Sequence, residues 1–162
     1  MHCHREAGHT LLSLLAGLAI LSLASPVALQ QLQHWRDTRS VHATTSALTQ
    51  VIQQGMTHSV TTQQPLVLCG TTSTERCIAH WQYQLTLRAS PETPPLATLP
   101  VPAHLTLHGP RHLLYFQPVV FDHQTSATFT LCGQTAATQV IINRTGRIRH
   151  VEVDVQRCRA QT

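Results

Sequence analysis

The residues best suited to binding a ligand are arginines in a basic segment near the C-terminus, which we define as the chain after residue 143. The chain has eleven arginines and no lysine. The arginines that follow residue 143 are Arg144, Arg147, Arg149, Arg157 and Arg159, and only Glu152 and Asp154 oppose them there. In a strand, Arg147 and Arg149 project from the same face, and each guanidinium offers a planar fork of donors that suits phosphate oxygens. This spacing predicts contacts with a nucleic acid backbone.

A second interpretation of the same strand stays open. Arginines that alternate with aliphatic residues also occur on solvated or partner-facing edge strands, where they deter pairing between sheets. Val151, Val153 and Val155 are in phase with the two arginines. A strand from Arg147 to Val155 must therefore change faces, carry a bulge or bury little beyond Arg149.

The cysteines predict two disulfides. Cys3 lies in the first eight residues, and an even set lies beyond them: Cys69, Cys77, Cys132 and Cys158. Such a set is typical of a disulfide framework outside the cytoplasm, and four cysteines allow three pairings. We favour Cys69–Cys77 and Cys132–Cys158 because each pair brackets one local structural unit. The spacing from Cys69 through Cys77 to His80 matches no usual zinc pattern, so we predict no metal and no other cofactor.

Catalytic motifs are missing from the sequence. It contains no G-x-S-x-G elbow, no phosphate-binding glycine loop, no H-E-x-x-H and no pair of carboxylates in a shared apolar stretch. With seven acidic residues in the whole chain, paired carboxylates for acid–base catalysis are hard to assemble. We therefore expect a protein that is not an enzyme.

The N-terminal segment predicts a membrane anchor. No charged side chain occurs from Leu11 to Leu29, and a helix over that run reaches about 28 Å, close to the thickness of the bilayer hydrocarbon. Proline directly after Ala24-Ser25 makes a poor signal-peptide site. Gly8 directly before the apolar run suggests a cut there instead. We expect a leader over 1–8, a membrane helix over 9–29, an amphipathic half-helix over 30–60 and a β-rich domain over 61–162.

The remaining pattern predicts an α+β fold. We expect one helix from about Thr10 to about Thr57, bent near Pro26, whose core-facing stripe consists of Val41, Leu48, Val51, Ile52 and Gly55. Seven strands are expected within 66–69, 80–87, 105–107, 113–121, 128–132, 140–142 and 147–155. In the second of them, Trp81, Tyr83, Leu85 and Leu87 should share one face. Residues 90–102 contain five prolines and are expected to form a loop. These strands would make antiparallel, sandwich-like sheets packed on the long helix.

Two parts of the chain resemble known families. Gly8, Thr10 and Leu11 are similar to the class III leader of type IV prepilins and type II secretion pseudopilins. Two positions depart from that pattern, because His9 replaces the usual phenylalanine and Ser13 replaces a glutamate. The run from Pro65 to Cys69 followed by Cys77 and Trp81, together with the segments 129–132 and 145–149, resembles the GspH/FimT group of minor pseudopilins.

This resemblance implies a function. It implies a non-enzymatic minor pilin or pseudopilin of a type IV pilus or type II secretion system, cut between Gly8 and His9 by a prepilin peptidase and then subject to N-terminal methylation. It also implies a single-pass protein of the bacterial inner membrane with its globular domain in the periplasm. Other minor pilins would contact the N-terminal helix, and a tip or assembly-priming position is expected.

The resemblance also gives the arginine strand a role. Part of the GspH/FimT group carries a G-R-x-R motif tied to DNA binding in natural transformation, and the segment from Gly146 to Arg149 matches it. Double-stranded DNA is therefore an expected partner of the basic segment. The alternatives are a secretion pseudopilin that binds no DNA, and a membrane-anchored β-domain unrelated to filaments.

Overall fold

A computed structural model describes residues 7–71, 76–118 and 126–159 of the chain. Its first element is one helix, α1, which spans Ala7–Thr62 and so extends a few residues beyond the predicted helix at both ends. The chain divides into two compact units, Met1–Arg36 and Asp37–Thr162. The first unit holds the N-terminal part of α1, and the second holds the rest of that helix and all of the described strands.

The first unit presents an apolar stripe. Leu11, Leu14, Leu15 and Leu18 recur at helical spacing and are all exposed. The predicted leader lies outside the described part from residue 1 to residue 6, as does the side chain of His9. Among the described residues, no helix reaches the combined length and hydropathy of a membrane span.

The part of α1 in the second unit forms one wall of the core. The predicted residues all face the core: Val41, Leu48, Val51, Ile52 and Gly55. Their spacing of three, four and seven residues places them on one helical face. Gly55 permits close packing there, because a Cβ at that position would lie 2.8 Å from the ring of Phe116.

One antiparallel sheet is built around the strand Leu66–Thr71, which pairs with three others. Its strands are β1 (Leu66–Thr71), β2 (Cys77–Ile78), β3 (Gln84–Arg88), β4 (Ala97–Pro100) and β6 (Leu114–Phe116). The order is β2-β1-β3-β4, and β6 also pairs with β1. Every residue of β1 is buried, as expected of a strand with neighbours on both edges and packed faces.

The other antiparallel sheet carries the basic segment. Its strands are β5 (Thr106–His108), β7 (Ala127–Cys132), β8 (Ala137–Ile142) and β9 (Ile148–Val153), in the order β5-β7-β8-β9. A short helix, α2 (Val155–Arg159), follows β9. β9 is therefore the last strand of its sheet, with β8 as its one described neighbour.

The core lies between the two sheets and α1. Trp81 is buried against Phe129 with ring centroids 5.1 Å apart in an edge-to-face arrangement, which is a favoured aromatic geometry. The indole N–H of Trp81 donates to the Pro110 carbonyl at 2.8 Å. Gly109 lets that loop approach, since a Cβ there would lie 2.6 Å from the indole. The predicted α+β fold, a long helix on antiparallel sheets, is confirmed.

Both disulfides that we favour from the sequence are present. Cys69 is bonded to Cys77, and Cys132 is bonded to Cys158. The first bridge closes the connection between β1 and β2. The second ties α2 to β7, and Cys132 and Cys158 are buried there with Ala137.

Three details of the predicted strands are wrong. Tyr83 does not share a buried face with Trp81, because β3 begins only at Gln84 and Tyr83 is 63% exposed. The proline-rich stretch contains β4, which pairs with β3 and ends at Pro100; a strand on a sheet edge tolerates proline because no ladder donor is needed on its outer side. The last strand ends at Val153, and Val155 begins α2. Part of the predicted strand 113–121 lies outside the described residues.

Candidate nucleic-acid interface

The predicted basic segment begins in the turn of a hairpin that joins β8 to β9. In the turn, the Gly146 N–H donates to the Asn143 carbonyl at 2.9 Å, and the Asn143 N–H donates to the Arg147 carbonyl at 3.0 Å. Gly146 has a φ of 75°, the left-handed region that glycine adopts without steric cost. A four-residue turn that ends on such a glycine is a common way to close a hairpin. Gly146 therefore fixes where β9 begins.

Arg147 and Arg149 lie on the same side of this hairpin. An unbroken antiparallel register places Arg149 opposite Ile141 and Ile148 opposite Ile142. Ile142 is buried in the core, so Ile148 faces inward and Arg149 faces outward. Arg147 immediately precedes β9 and shares the outer face by the same alternation. Both arginines are exposed, and no other described side chain is hydrogen-bonded or ion-paired to either.

Of the other three predicted arginines, only one lies beside Arg147 and Arg149. Arg144 is exposed in the turn, next to Arg147 and Arg149. Arg157 is exposed on α2, beyond the far end of β9, and the strand between them spans about 20 Å at 3.3 Å per residue. The side chain of Arg159 lies outside the described part. The structure therefore brings together three of the five arginines.

The outer face of β9 carries no acid. Val151 and Val153 complete that face, whereas Glu152 lies on the inner face by alternation. Asp154 lies past the strand, and its carboxylate accepts a hydrogen bond from the Gln156 N–H at 2.9 Å. The two acids of the basic segment are therefore not on the face of the arginines, and that face is positively charged.

Val151 and Val153 follow the two arginines on the same face of β9, so the strand must change faces, carry a bulge or bury little beyond Arg149. The register with β8 runs through six consecutive pairs, which excludes a bulge or a change of face within β9. Val151 is 41% exposed. Beyond Arg149 the outer face of the strand therefore buries little: of its two valines only Val153 is partly buried, against the cluster of Cys132, Ala137 and Cys158.

On its inner face, β9 is held against α1. The His150 ring nitrogen Nε2 lies 2.9 Å from the Thr49 hydroxyl in a hydrogen bond. At the turn, Gly146 lies beside Met56, since a Cβ there would be 3.5 Å from the Met56 sulfur. These two contacts fix the hairpin along the helix and so orient the arginines on its opposite face.

A buried carboxylate fixes the other end of β8. Asp37 of α1 accepts hydrogen bonds from the Thr135 N–H at 2.6 Å, the Thr135 hydroxyl at 2.9 Å and the Ala136 N–H at 3.2 Å. Burial raises the pKa of Asp37, but the hydrogen bonds from the turn outweigh burial and hold the pKa below its usual range. Gly133 makes room, because a Cβ there would lie 2.5 Å from the carboxylate.

Some of these residues are not among those predicted from the sequence. Asn143 could be found, because asparagine three residues before a glycine is a frequent turn signature. Thr49 and Asp37 carry no comparable signal, since their partners lie about 100 residues away along the chain. Within the described residues, no group of three histidine, cysteine or acidic side chains is placed to hold a metal.

Comparison with protein families identifies the group. The model of the family described as GspH, type II transport protein GspH, matches residues 44–146, which is more than half of the chain. This chain belongs to the GspH family. The match ends at Gly146, so Arg147 and Arg149 follow the matched segment. No curated protein matches the chain.

Solved structures show the same fold. The chain is similar to the type IV minor pilin FimU of Pseudomonas aeruginosa in two crystal forms, with TM-scores of 0.56 and 0.55 and sequence identities of 17% and 16%. The similarity covers 68% of this chain and 87% or 91% of the FimU chain. At this identity the comparison establishes the pilin-like fold of this GspH-family chain.

Proposed function

We propose that this chain is a minor pilin or pseudopilin subunit, cut between Gly8 and His9 by a prepilin peptidase. Residues 9–29 would hold it in the bacterial inner membrane, with the globular domain in the periplasm. Membership of the GspH family and the uncharged run from Leu11 to Leu29 support this role. Replacing Gly8 by arginine should block the cut, which mass spectrometry of the membrane-extracted protein would test. An intact Met1 on the parent protein would contradict it.

Assembly would use the N-terminal helix. Minor pilins of this family assemble with other pilins, and the exposed stripe that begins at Leu11 offers an apolar surface for neighbouring helices. Ser13 occupies the place of the glutamate that pairs with a neighbour's buried N-terminal amine in the resembling pilins. A subunit without that carboxylate is suited to a tip or priming position, because it leaves a neighbour's amine unpaired.

The hairpin arginines are proposed to contact double-stranded DNA. One observation carries this proposal: Arg147 and Arg149 are exposed together, without an ion-pair partner in the described part of the chain, on a strand face that has no acid. Such a face suits phosphates, so binding should be independent of sequence and should weaken steeply with salt. Arg144 in the adjoining turn adds a third cation.

The test is DNA binding by the full chain in detergent. Affinity for a labelled duplex would be measured at about 50 mM and about 200 mM salt. The double variant Arg147→Gln/Arg149→Gln should bind more weakly, and its salt slope should fall by about one unit for each lost phosphate contact. The matched control is Arg76→Gln/Arg111→Gln, which removes the same charge from two other exposed positions. Equal losses in both variants would point to net charge alone and contradict the proposed interface.

A secretion role is the second candidate. The family description, type II transport protein, favours it. Deleting the gene in the parent bacterium separates the two candidates: loss of protein secretion with normal DNA uptake supports a pseudopilin of the secretion machine, and the reverse supports DNA capture.

A further inference from the structure

The outer edge of β9 has backbone groups that its own sheet does not use. In an antiparallel pair, residues alternate between those bonded to the neighbouring strand and those directed away from it. The Asn143 N–H donates to the Arg147 carbonyl, so Arg149 and Val151 are bonded to β8 by the same alternation. The N–H and C=O groups of Ile148, His150 and Glu152 are therefore directed away from β8.

A groove runs along this edge between β9 and α1. His42, Thr45 and Ser46 line it from the helix, and Thr138, His150 and Glu152 line it from the sheet; it encloses about 600 Å³. The helix contributes a neutral wall, because no arginine or acidic residue occurs from Ser40 to Thr62. The hydrogen bond between His150 and Thr49 holds the strand at this position beside the helix.

We propose that the edge of β9 binds an extended, acidic segment of another protein by strand addition. An added strand would bond to the outward N–H and C=O groups of Ile148, His150 and Glu152 and would lie in the groove against α1. On the outer face, alternate side chains of the added strand would meet Arg147 and Arg149. Acidic residues at those alternate positions match the arginines in charge and in spacing, since both follow the two-residue period of a strand.

The unused backbone groups favour a polypeptide over DNA at this edge. Phosphates accept hydrogen bonds and donate none, so DNA leaves the outward carbonyls of Ile148, His150 and Glu152 without a donor. A strand supplies both donors and acceptors in alternation. The inference goes beyond the proposed DNA contact and does not depend on it, although a bound strand and DNA would compete for Arg147 and Arg149.

A second copy of this chain is a poor occupant. Two β9 strands joined edge to edge around a two-fold axis keep their outer faces on the same side. The outer positions of β9 hold Arg147, Arg149, Val151 and Val153, so a second copy offers no carboxylate to either arginine. The charge pattern therefore selects a different, acidic strand.

Proline and alanine variants at His150 test the mode of binding. The full chain in detergent would be titrated into a fluorescent eight-residue peptide in which glutamate and valine alternate. His150→Pro removes the outward N–H but no ladder bond to β8, a position at which edge strands accept proline. His150→Ala is the matched control, because it loses the same contact with Thr49. We expect the parent to bind the peptide, His150→Pro to bind about 10-fold more weakly and His150→Ala to stay within about twofold of the parent.

Further measurements distinguish a loss of strand addition from unfolding and from a loss of DNA binding. Glu152→Pro against Glu152→Ala repeats the test in case His150→Pro unfolds, which circular dichroism would detect. Duplex DNA binding should survive both proline variants, whereas Arg147→Gln/Arg149→Gln should lose both ligands. Equal peptide binding by the proline and alanine variants would overturn strand addition. Failure of the parent to bind the peptide, or a dimer by light scattering that His150→Pro disrupts, would overturn the acidic strand as the occupant.

Discussion

Arg88 and Arg149 are both strand arginines that follow an aliphatic residue, and the fold treats them in opposite ways. Arg88 is 7% exposed. Its Nε donates to the Thr86 hydroxyl at 3.2 Å, and its Nη1 donates to the carbonyls of Thr93 at 3.1 Å and Pro91 at 3.5 Å. Arg149 is exposed and has no such partner among the described side chains. One guanidinium closes a loop over its sheet, and the other remains available for a ligand.

The contrast separates charged side chains that stabilise the fold from those that are available to bind a ligand. β3 is flanked by β1 and β4, and the loop after Arg88 folds back over the strand. β9 ends its sheet, and α2 begins only after Val153. Whether a strand arginine is used by the fold thus depends on what covers its strand. Four substitutions test that distinction, in order of decreasing effect.

Replacing Arg88 by glutamine should destabilise the protein most. The variant removes a buried guanidinium and leaves the Thr93 and Pro91 carbonyls without their donor, which should cost about 3 kcal/mol. Thermal unfolding of the detergent-solubilised chain, followed by circular dichroism, gives the measurement. A Tm equal to that of the parent would show that the Arg88 contacts contribute nothing to folding.

Asp37→Asn should cost about 2 kcal/mol at neutral pH, because charged hydrogen bonds are stronger than neutral ones. The folded-state pKa of Asp37 is lowered below 3.8, so its carboxylate contributes stability that is present above this pH. That contribution is lost as the pH falls through the folded-state pKa. The difference in Tm between parent and variant should therefore be full at pH 7 and shrink below pH 3.8. A difference that is constant with pH would contradict a role for the ionised carboxylate.

Gly146→Ala should have a smaller effect on folding. A left-handed φ costs a non-glycine residue about 1 kcal/mol, and a Cβ at this position meets only Met56, at ordinary contact distance. Conformational strain is thus the expected cause. Gly146→Asn is the control, since asparagine tolerates this region better than alanine. Equal Tm values for the two variants would argue against the strained backbone as the cause.

Arg149→Gln should change stability least, by less than about 0.5 kcal/mol, because the side chain is exposed and contacts no partner among the residues that the structure describes. Its expected effect is on binding: the salt slope for duplex DNA should fall by about one unit. Unfolding and DNA titration of the same preparation would separate the two effects. A loss of stability comparable to that of Arg88→Gln would remove the contrast between the two arginines.

Much of the fold follows from local sequence patterns. The apolar stripe that includes Leu48 and Ile52 predicts a core-facing helix because a helical period is expressed within a few turns. The favoured disulfide pairs, Cys69–Cys77 and Cys132–Cys158, are those of the structure. The uncharged run from Leu11 to Leu29 is likewise visible in the sequence alone, and so is Gly146 before the two alternating arginines. Neither pattern depends on which segment packs against it.

Other features could not be predicted without the tertiary structure. β4 pairs with β3 inside a proline-rich stretch, and no local pattern marks it because edge pairing depends on where the neighbouring strand lies. Tyr83 is exposed although it alternates with buried residues, since β3 starts one residue later. The hydrogen bonds of Asp37 and Thr49 join positions distant along the chain.

Local patterns establish the composition of the basic segment, the period that places Arg147 and Arg149 on one face, and the helix that carries the core stripe. The packing of the chain was needed to show that β9 is an edge strand, that its acids lie off the arginine face, and that the fold uses Arg88 but not Arg149. The physical reason is that alternation and helical period are local properties of the backbone. Burial and hydrogen-bond partners depend on which distant segments pack against a strand.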